Sequence, residues 1–114
     1  MPLIYKIMPA TMWRDAVSAG AFTGAPVDHA DGFIHFSAAD QVRATAAKHF
    51  AGHRDLVLVA VTAEALGSAL KWEVSRGGAL FPHLYAPLVI TQDVLVEPLP
   101  LGADGLHVFP EAIP

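Results

Sequence analysis

The stretch LVLVAV, from Leu56 to Val61, is the longest apolar run in the chain. A strand with one solvated face alternates apolar and polar residues, and this stretch shows no such alternation. It therefore predicts a central β-strand that is buried on both faces. A membrane-spanning helix needs about twenty apolar residues, so this run predicts no membrane partner.

Length and composition place this strand in one globular domain. The chain has 114 residues, 54% of them hydrophobic and 16% charged, which supplies a sizeable core. The formal net charge is −4 and the seven Lys and Arg residues are scattered, which argues against nucleic acid as the main partner. The absence of cysteine excludes a disulfide scaffold, a thiolate zinc site and a cysteine nucleophile. No signal-peptide core is visible, so we expect a cytoplasmic protein.

Strands and helices alternate before the central strand. IYKI, residues 4–7, predicts a first strand that precedes a helix at residues 11–20. The hydroxyl of Thr11 is expected to cap this helix, and Gly20 to end it. A loop is predicted between Gly20 and the strand that follows, because Gly24, Pro26 and Asp28 break regular structure there.

GFIHFS, residues 32–37, predicts the second strand. The period of two in a strand predicts one face formed by Phe33, His35 and Ser37. A second helix is expected next, capped by Ser37 or Asp40 and ended by Gly52.

Mostly strands are expected after the central strand. AEAL, residues 63–66, predicts a single helical turn, and LKWEVS, residues 70–75, predicts a strand. FPHLY, residues 81–85, is expected to be a short extended piece at a sheet edge or in an irregular position, because Pro82 cannot donate a ladder hydrogen bond. VLVEPL, residues 94–99, is predicted to close the sheet.

The order of elements predicts the α+β class, with the helices early in the chain. We expect a single domain over residues 1–114, with a core at about residues 3–99. The tail at residues 100–114 is rich in Gly and Pro, and we expect it to pack down through Leu106, Val108 and Phe109.

Polar residues inside the apolar strands are the candidates for chemistry, because a buried polar group without a partner costs roughly 1–3 kcal/mol. His35 is either a core imidazole bonded to a backbone carbonyl or a group that faces a cleft. Glu73 is either a solvated charge or part of the same site. His83 follows Pro82 among aromatic neighbours, which favours a ligand contact over a surface turn. Tyr85 is a weaker candidate.

Other kinds of site find little support in the sequence. His29, Asp31 and His35 offer metal donors, but their spacing does not match a zinc motif, and we expect no metal. His49, His53 and His107 are expected at the surface. The chain has neither a Gly-rich phosphate loop nor a G-x-S-x-G nucleophile elbow.

Five motifs together resemble a known family. They are IYKI at residues 4–7, W-x-x-A at 13–16, DGFIHFS at 31–37, LKWE-x-S at 70–75 and FPHLY at 81–85. The chain resembles DUF952, a bacterial family of unknown function, over roughly residues 3–99. DGFIHFS and FPHLY are the specific part of this resemblance.

The order of elements is also distantly similar to the catalytic core of ADP-ribosyltransferases and RNA 2′-phosphotransferases. This similarity implies two small β-sheets that form a cleft, with two or three helices packed mainly from the N-terminal half. It implies a transferase whose substrate in the cleft is NAD or another ADP-ribose-bearing molecule, and no further cofactor.

The same similarity implies roles for particular residues. The catalytic positions fall on His35 and His83, and Glu73 stands in for the acidic group that polarises the ribose. A further set is expected to line the cleft, stack on a ring or neutralise a phosphate, namely Tyr5, Lys6, Trp13, Phe33, Ser37, Arg76 and Tyr85.

Three functions remain open from the sequence. The chain is an enzyme of the ADP-ribosyltransferase type, a nucleotide-binding or sensing module without turnover, or a structural domain with both histidines buried. The enzyme hypothesis predicts that His35 and His83 share a pocket, and the third is favoured if they lie on opposite sides of the sheet. The oligomeric state is left open.

Overall fold

The structure is a computed structural model of the chain, and it describes residues 3–75 and 77–110. The strands are β1 (Leu3–Pro9), β2 (Ala21–Phe22), β3 (Ile34–His35), β4 (Ser37–Ala38), β5 (Leu56–Thr62), β6 (Leu70–Ser75), β7 (Ala79–Leu84), β8 (Leu88–Val89) and β9 (Leu95–Leu99). The helices are α1 (Ala10–Ala19), α2 (Pro26–Asp31), α3 (Val42–His49) and a 3-10 helix at Ala63–Ala69.

Strand β5 is an inner strand of the largest sheet, whose antiparallel order is β4-β1-β5-β9. Val59, at its centre, is fully buried, and most of the strand is buried on both faces. The central strand predicted from LVLVAV is therefore confirmed. The predicted first and last strands are confirmed as β1 and β9 with small shifts in their bounds.

The two faces of this sheet pack against separate hydrophobic clusters, because alternate side chains of a strand point to opposite faces. The larger cluster joins β1 and β5 to α1 and the smaller sheets, through Ile4, Met8, Trp13, Ala16, Phe22, Ile34, Phe36, Val59, Val61, Leu84 and Leu88. The other cluster packs α3 on the opposite face, through Tyr5, Ile7, Val42, Ala46, Leu56, Leu58, Ala60 and Leu99. Each large side chain buried in this way contributes about 1.5–3 kcal/mol.

Strand β7 is the central strand of a sheet with the order β3-β7-β6, so the predicted edge position of FPHLY is wrong. The backbone N–H of Phe36 donates to the carbonyl of Pro82 at 3.0 Å, which turns the backbone of Pro82 toward β3. A strand residue directs its N–H and C=O to the same neighbour, so the absent N–H of Pro82 also faces β3. Because strand β3 ends at His35, there is no further hydrogen-bond ladder on that side for Pro82 to interrupt.

GFIHFS forms two short strands instead of one. Strand β3 pairs with β7, whereas β4 pairs with β1 of the largest sheet. Phe36 lies between them and is buried in the larger cluster, so the chain changes sheets at this residue. As a consequence Ser37 does not share a sheet face with Phe33 and His35.

The first two helices differ in part from the prediction. Thr11 does not cap α1, because the helix begins one residue earlier and has no side-chain cap. Gly20 ends α1 in the left-handed conformation, with φ 87°, as predicted. Residues 26–31, the second half of the predicted loop, form α2.

Helix α3 begins and ends differently from the prediction. Neither Ser37 nor Asp40 caps it, since the residue before the helix is Gln41, whose side-chain oxygen accepts the backbone N–H of Ala38 at 2.9 Å. The helix ends at His49, before Gly52.

The chain is thus a small α+β fold with several antiparallel sheets and about four helices. The distant similarity to ADP-ribosyltransferases implied two sheets, but over the described residues β2 and β8 pair as a separate third sheet. The helical segment predicted as one turn extends through Ala69 as the 3-10 helix, and the helices precede β6 as expected. None of the described helices has the length and apolar character needed to cross a bilayer.

Only part of the C-terminal tail packs against the rest of the domain. Leu101 and His107 form an isolated β-bridge, and Phe109 is half-buried against the cluster beside α3. Leu106 and Val108 are more than half exposed, so the prediction for these two is wrong. Residues 111–114 of the predicted tail lie outside the described part of the chain.

Candidate functional site

A buried ion pair lies beneath the site. Lys6 projects from the otherwise apolar strand β1, and its Nζ lies 3.2 Å from Oδ2 of Asp28 on α2, with only 8% and 1% of the side chains exposed. Nζ also donates to the backbone carbonyl of His35 at 2.9 Å. Since a buried charge is costly unless it is paired, these contacts fix α2 and β3 against β1.

Asp28 also orients the ring of His35. Oδ1 of Asp28 accepts the backbone N–H of His35 at 3.1 Å and its ring Nδ1–H at 2.6 Å, while Oδ2 accepts the N–H of Ala25 at 2.7 Å. Burial alone would raise the pKa of Asp28, but the Lys6 ammonium and these hydrogen bonds outweigh it and hold the pKa below its ordinary value. An ionised carboxylate only accepts hydrogen bonds, so Nδ1 of His35 carries a hydrogen.

The second ring nitrogen of His35 faces another carboxylate. Nε2 lies 2.9 Å from Oδ2 of Asp31, the last residue of α2, whose side chain is half exposed. Both contacts are hydrogen bonds at the same time only if both ring nitrogens carry hydrogen. Each ring nitrogen of His35 therefore lies within hydrogen-bonding distance of a carboxylate.

His83 is oriented by a separate group. Its Nδ1 donates to Oε1 of Glu73 at 2.8 Å, and the hydroxyl of Tyr85 donates to the same oxygen at 2.7 Å. The Tyr85 bond and then the His83 bond lower the pKa of Glu73, and the bond to Glu73 raises the pKa of Tyr85. Among residues 3–75 and 77–110, none hydrogen-bonds Nε2 of His83. In the neutral ring with hydrogen on Nδ1, this nitrogen is an acceptor.

His35 and His83 are direct cross-strand neighbours, and we call them the imidazole pair. They are opposite each other in the β3–β7 register, with ring centroids 5.6 Å apart. The ring of Phe33 stacks on His83 at 4.0 Å and 24°, and it lies 4.6 Å from the ring of His35 and 5.3 Å from that of Tyr85. The pair therefore lies on one side of the sheet, beside one aromatic group.

Two clefts open beside the imidazole pair. The first cleft has a volume of about 370 Å³ and is lined in part by Tyr5, Lys6, Asp31, His35, Ser37 and Ser75. The second cleft has a volume of about 280 Å³, and its wall includes Asp28, Phe33 and Tyr85. His83 and Glu73 line neither cleft, so no single cleft of these two holds the three predicted catalytic residues.

The profile of the family described as "Protein of unknown function (DUF952)" matches residues 7–96. The chain belongs to the DUF952 family. The crystal structure of protein CC0527 from Caulobacter crescentus is 54% identical to this DUF952 chain, with a TM-score of 0.87, and the match covers 93% of each chain.

Two further structures of CC0527 from Caulobacter crescentus are similar to the DUF952 chain. A crystal structure of its double mutant is 52% identical, covers 93% of both chains and has a TM-score of 0.87. Its solution NMR structure is 55% identical, with a TM-score of 0.82, and covers 91% of this chain and 90% of that chain. No curated protein matches the chain. The comparisons establish the family and the fold, and they carry no statement about nucleotide binding or ADP-ribosyl transfer.

The DUF952 fold brings half of the ten predicted site residues together. His35, His83 and Glu73 lie in one contact network with Phe33 and Tyr85. The two imidazoles are not on opposite sides of the sheet, which was the arrangement that would have favoured a purely structural role. Their proposed catalytic and binding roles stay predictions.

Three other predicted residues have different surroundings. Trp13 packs into the larger hydrophobic cluster and is 9% exposed, which leaves little ring surface for the predicted stacking on a ligand. Ser37 is buried and its hydroxyl lies 2.9 Å from that of Thr45, although it borders the first cleft. Tyr5 is buried at the same cleft, and burial raises its pKa. Arg76 lies outside the described residues.

Sequence reasoning missed Asp28 and gave Asp31 only a possible metal-binding role. Among the described residues, no group of three or more His, Cys, Asp or Glu side chains is placed to hold a metal ion. A signal for Asp28 exists in the sequence, because Lys6 interrupts an apolar strand and a buried lysine needs a carboxylate partner. The spacing does not identify which of the carboxylates that partner is.

Proposed function

We propose that this DUF952 chain is an enzyme that acts on a small nucleotide-like substrate, NAD or another ADP-ribose-bearing molecule. The imidazole pair supplies its general acid and its general base. The observation that carries the proposal is a difference in hydrogen bonding between the two rings. Both nitrogens of His35 face carboxylates, which gives this ring a proton to donate, whereas Nε2 of His83 is left as an acceptor.

His35 is the acid in this mechanism. Its Nδ1–H is committed to Asp28, and its Nε2 faces the half-exposed Asp31 at the first cleft. When a substrate oxygen takes the place of the Asp31 carboxylate, the hydrogen on Nε2 points at that oxygen. A positioned imidazole of this kind typically contributes about 10²–10⁴-fold to a rate.

His83 is the base. Glu73 accepts its Nδ1–H and so keeps the lone pair on Nε2, in the way that a carboxylate orients a catalytic imidazole. The nearby Glu73 carboxylate also supplies the negative charge that a transferase uses to polarise a ribose hydroxyl. We assign to His83 the removal of the proton from the water or acceptor hydroxyl that attacks C1′ of the ribose as nicotinamide leaves, and to Glu73 the positioning of the ribose.

We base the substrate class on the aromatic side chains and on the distant similarity to ADP-ribosyltransferases. Phe33 and the half-exposed Tyr85 line the second cleft, where a nicotinamide or adenine ring has an aromatic surface to pack on. A nucleotide-like substrate of this class is a metabolite of the cytoplasm, and we propose that location for the protein.

The experiment is a turnover assay with NAD, followed by chromatography of released nicotinamide. The matched variants are His35→Asn and His83→Asn, because the Asn amide takes the place of Nδ1 and keeps Asp28 or Glu73 partnered while Nε2 is removed. We expect each variant to lose about 100-fold or more of the wild-type rate. His53→Ala, at an exposed and remote histidine, is expected to retain it. Wild-type protein that consumes neither NAD nor ADP-ribose contradicts the proposal.

A second candidate is a nucleotide-binding or sensing domain without turnover. Two observations favour it, namely the Asp31 carboxylate that covers Nε2 of His35 and the burial of His83. This candidate predicts that NAD, ADP-ribose or AMP raises the melting temperature while nicotinamide release stays at background. If none of the three ligands shifts the melting temperature and no NAD is consumed, both candidates are wrong.

A further inference from the structure

Strand β6 is one edge of the sheet β3-β7-β6, and no other described strand pairs with its outer side. The carbonyl of Pro82 accepts from the N–H of Phe36 and therefore points away from β6. Trp72 lies opposite Pro82 in the β6–β7 register, so the N–H and C=O of Trp72 point away from β7. Alternate residues of a strand share this direction, and the backbone groups of Leu70 and Val74 therefore also face the open edge.

The open edge of β6 is a template for pairing with another strand. The N–H of Leu70 donates to the carbonyl of Gly67 within the chain. No described residue outside the β6–β7 ladder is hydrogen-bonded to the backbone of Trp72 or Val74. The other long edge strand, β9, contains Pro98, which lacks a donor and discourages such pairing. Strand β6 has no proline.

The side chains of Trp72, Val74 and Leu80 form an apolar group at this edge, which we call the edge patch. Trp72 is 42% exposed and Val74 is 71% exposed, and Leu80 lies opposite Val74 on β7. Leu70 and Leu84, on the same sheet face, belong to the larger hydrophobic cluster or pack against it. The edge patch therefore continues the core face of the sheet beyond the part that the domain itself covers.

The sequence of β6 is complementary to a second copy of itself. Lys71 and Glu73 flank Trp72 on the opposite strand face. Antiparallel pairing of two copies around Trp72 places Lys71 of each copy opposite Glu73 of the other. The same register places Leu70 opposite Val74. If the centre moves by one residue in either direction, Lys71 meets Lys71 or Glu73 meets Glu73, and like charges directly opposite each other are destabilising.

We propose that the chain forms a two-fold symmetric dimer in which β6 of each copy pairs antiparallel with β6 of the other, with Trp72 on the symmetry axis. The backbone groups of the two Trp72 residues bond each other, and the N–H of Val74 in each copy donates to the carbonyl of Leu70 in the other. Glu73 also accepts Nδ1–H of His83, so each candidate site lies beside the interface. The dimer does not depend on the proposed function.

The first test is sedimentation velocity over a concentration series. We expect wild type to dimerise with a dissociation constant on the order of micromolar, because one strand pair is a small interface. Lys71→Glu brings like charges together at two symmetry-related positions and should weaken the dimer about tenfold or more. Lys48→Glu, the same change of charge at an exposed position of α3, should dimerise like wild type. The double variant Lys71→Glu/Glu73→Lys exchanges the two charges and should regain the dimer.

Single cysteines test the register without a change of charge, because the chain has no cysteine of its own. The Cα atoms of a hydrogen-bonded antiparallel pair lie about 5.5 Å apart, which a disulfide can span. Trp72→Cys should therefore form a disulfide-linked dimer when copper phenanthroline is the oxidant. In the same register the two copies of residue 74 lie about 13 Å apart along the strands. Val74→Cys should cross-link much less, although Val74 is the more exposed residue.

Circular dichroism checks that each variant is folded. A wild-type protein that stays monomeric at millimolar concentration overturns the dimer. A dimer that Lys71→Glu leaves intact, or that Lys48→Glu weakens equally, overturns the pairing through β6. Cross-linking of Val74→Cys that equals or exceeds that of Trp72→Cys overturns the register.

Discussion

Strands β5 and β7 are both inner strands of antiparallel sheets, yet their sequences have little in common. Strand β5 is wholly apolar at LVLVAV and is buried against a hydrophobic cluster on each face. Strand β7, ALFPHL, contains Pro82 and carries His83 into the candidate site. The difference shows that an inner strand is recognisable from its own residues only when burial alone stabilises it.

The two strands also depend on different interactions. Apolar burial has no direction, and β5 keeps its place through many interchangeable contacts. Nδ1 of His83 on β7 donates to Glu73 from β6, and the His83 ring stacks on Phe33, which precedes β3. The site strand therefore depends on a few directional contacts with residues that are distant in the sequence.

The largest expected effect on stability is from breaking the buried pair beneath the site. Asp28→Ala leaves the Lys6 charge without its carboxylate and should lower the free energy of unfolding by about 3–5 kcal/mol. Asp31→Ala, at a half-exposed carboxylate on the same helix, should cost less than about 1 kcal/mol. Urea denaturation measures both values, and similar losses for the two variants would refute the structural role given to Asp28.

The second-largest effect on stability is expected from a cavity in β5. Leu58 is 3% exposed, and Leu58→Ala should lower the free energy of unfolding by about 2–5 kcal/mol without affecting the imidazole pair. Leu95→Ala on β9, where the side chain is more than half exposed, is the matched control and should have little effect. Urea denaturation measures both values. A loss in Leu58→Ala no greater than in Leu95→Ala is incompatible with β5 as the core strand.

Lowering the pH is expected to have a smaller effect on the free energy of unfolding. The pKa of Asp28 is lower in the folded chain than its ordinary value of 3.8, so its ionisation stabilises the fold above that pH. This stability should be lost as the pH falls through the folded-state pKa. The free energy of unfolding, measured between about pH 2 and pH 6, should therefore fall more steeply in wild type than in Asp28→Asn. Parallel curves would mean that Asp28 is not held ionised by Lys6 and its hydrogen-bond donors.

The smallest effect is expected at the exposed end of the site network. Tyr85→Phe removes the hydrogen bond that contributes most to the lowered pKa of Glu73, so this pKa should rise toward its ordinary value. Stability should change little, because Tyr85 and Glu73 are solvated. An NMR titration of the Glu73 carboxyl carbon measures the change. A pKa identical to that of wild type would show that the hydroxyl bond does not form in solution.

The sequence predicts the elements that carry their own pattern. Strands β1, β5, β6 and β9 follow from apolar runs or alternation, and the end of α1 follows from Gly20. Helix α2 has six residues and the shortest strands have two, which is too little for a local signal. These elements form because the surrounding packing holds them, and such contacts are not encoded in any one stretch.

The candidate site, like the fold, was predictable from the sequence only in part. One of the three hypotheses left open by the sequence predicts that His35 and His83 share a pocket; their ring centroids lie 5.6 Å apart, but His83 lines neither of the two clefts. Asp28 was taken for a loop residue, since Asp beside Pro and Gly is typical of turns. Its buried position depends on Lys6, which precedes it by more than twenty residues, and this pairing exists only in the fold.

The most direct test of the central claim is an NMR titration of the isotope-labelled protein with NAD and ADP-ribose. The claim is that the imidazole pair, set in place by Asp28 and Glu73, is the ligand-binding site. We expect at least one of the two ligands to shift the signals of Phe33, His35 and His83, while the signals of β9 remain unchanged. Shifts confined to other parts of the chain, or no shifts with either ligand at millimolar concentration, would contradict the claim.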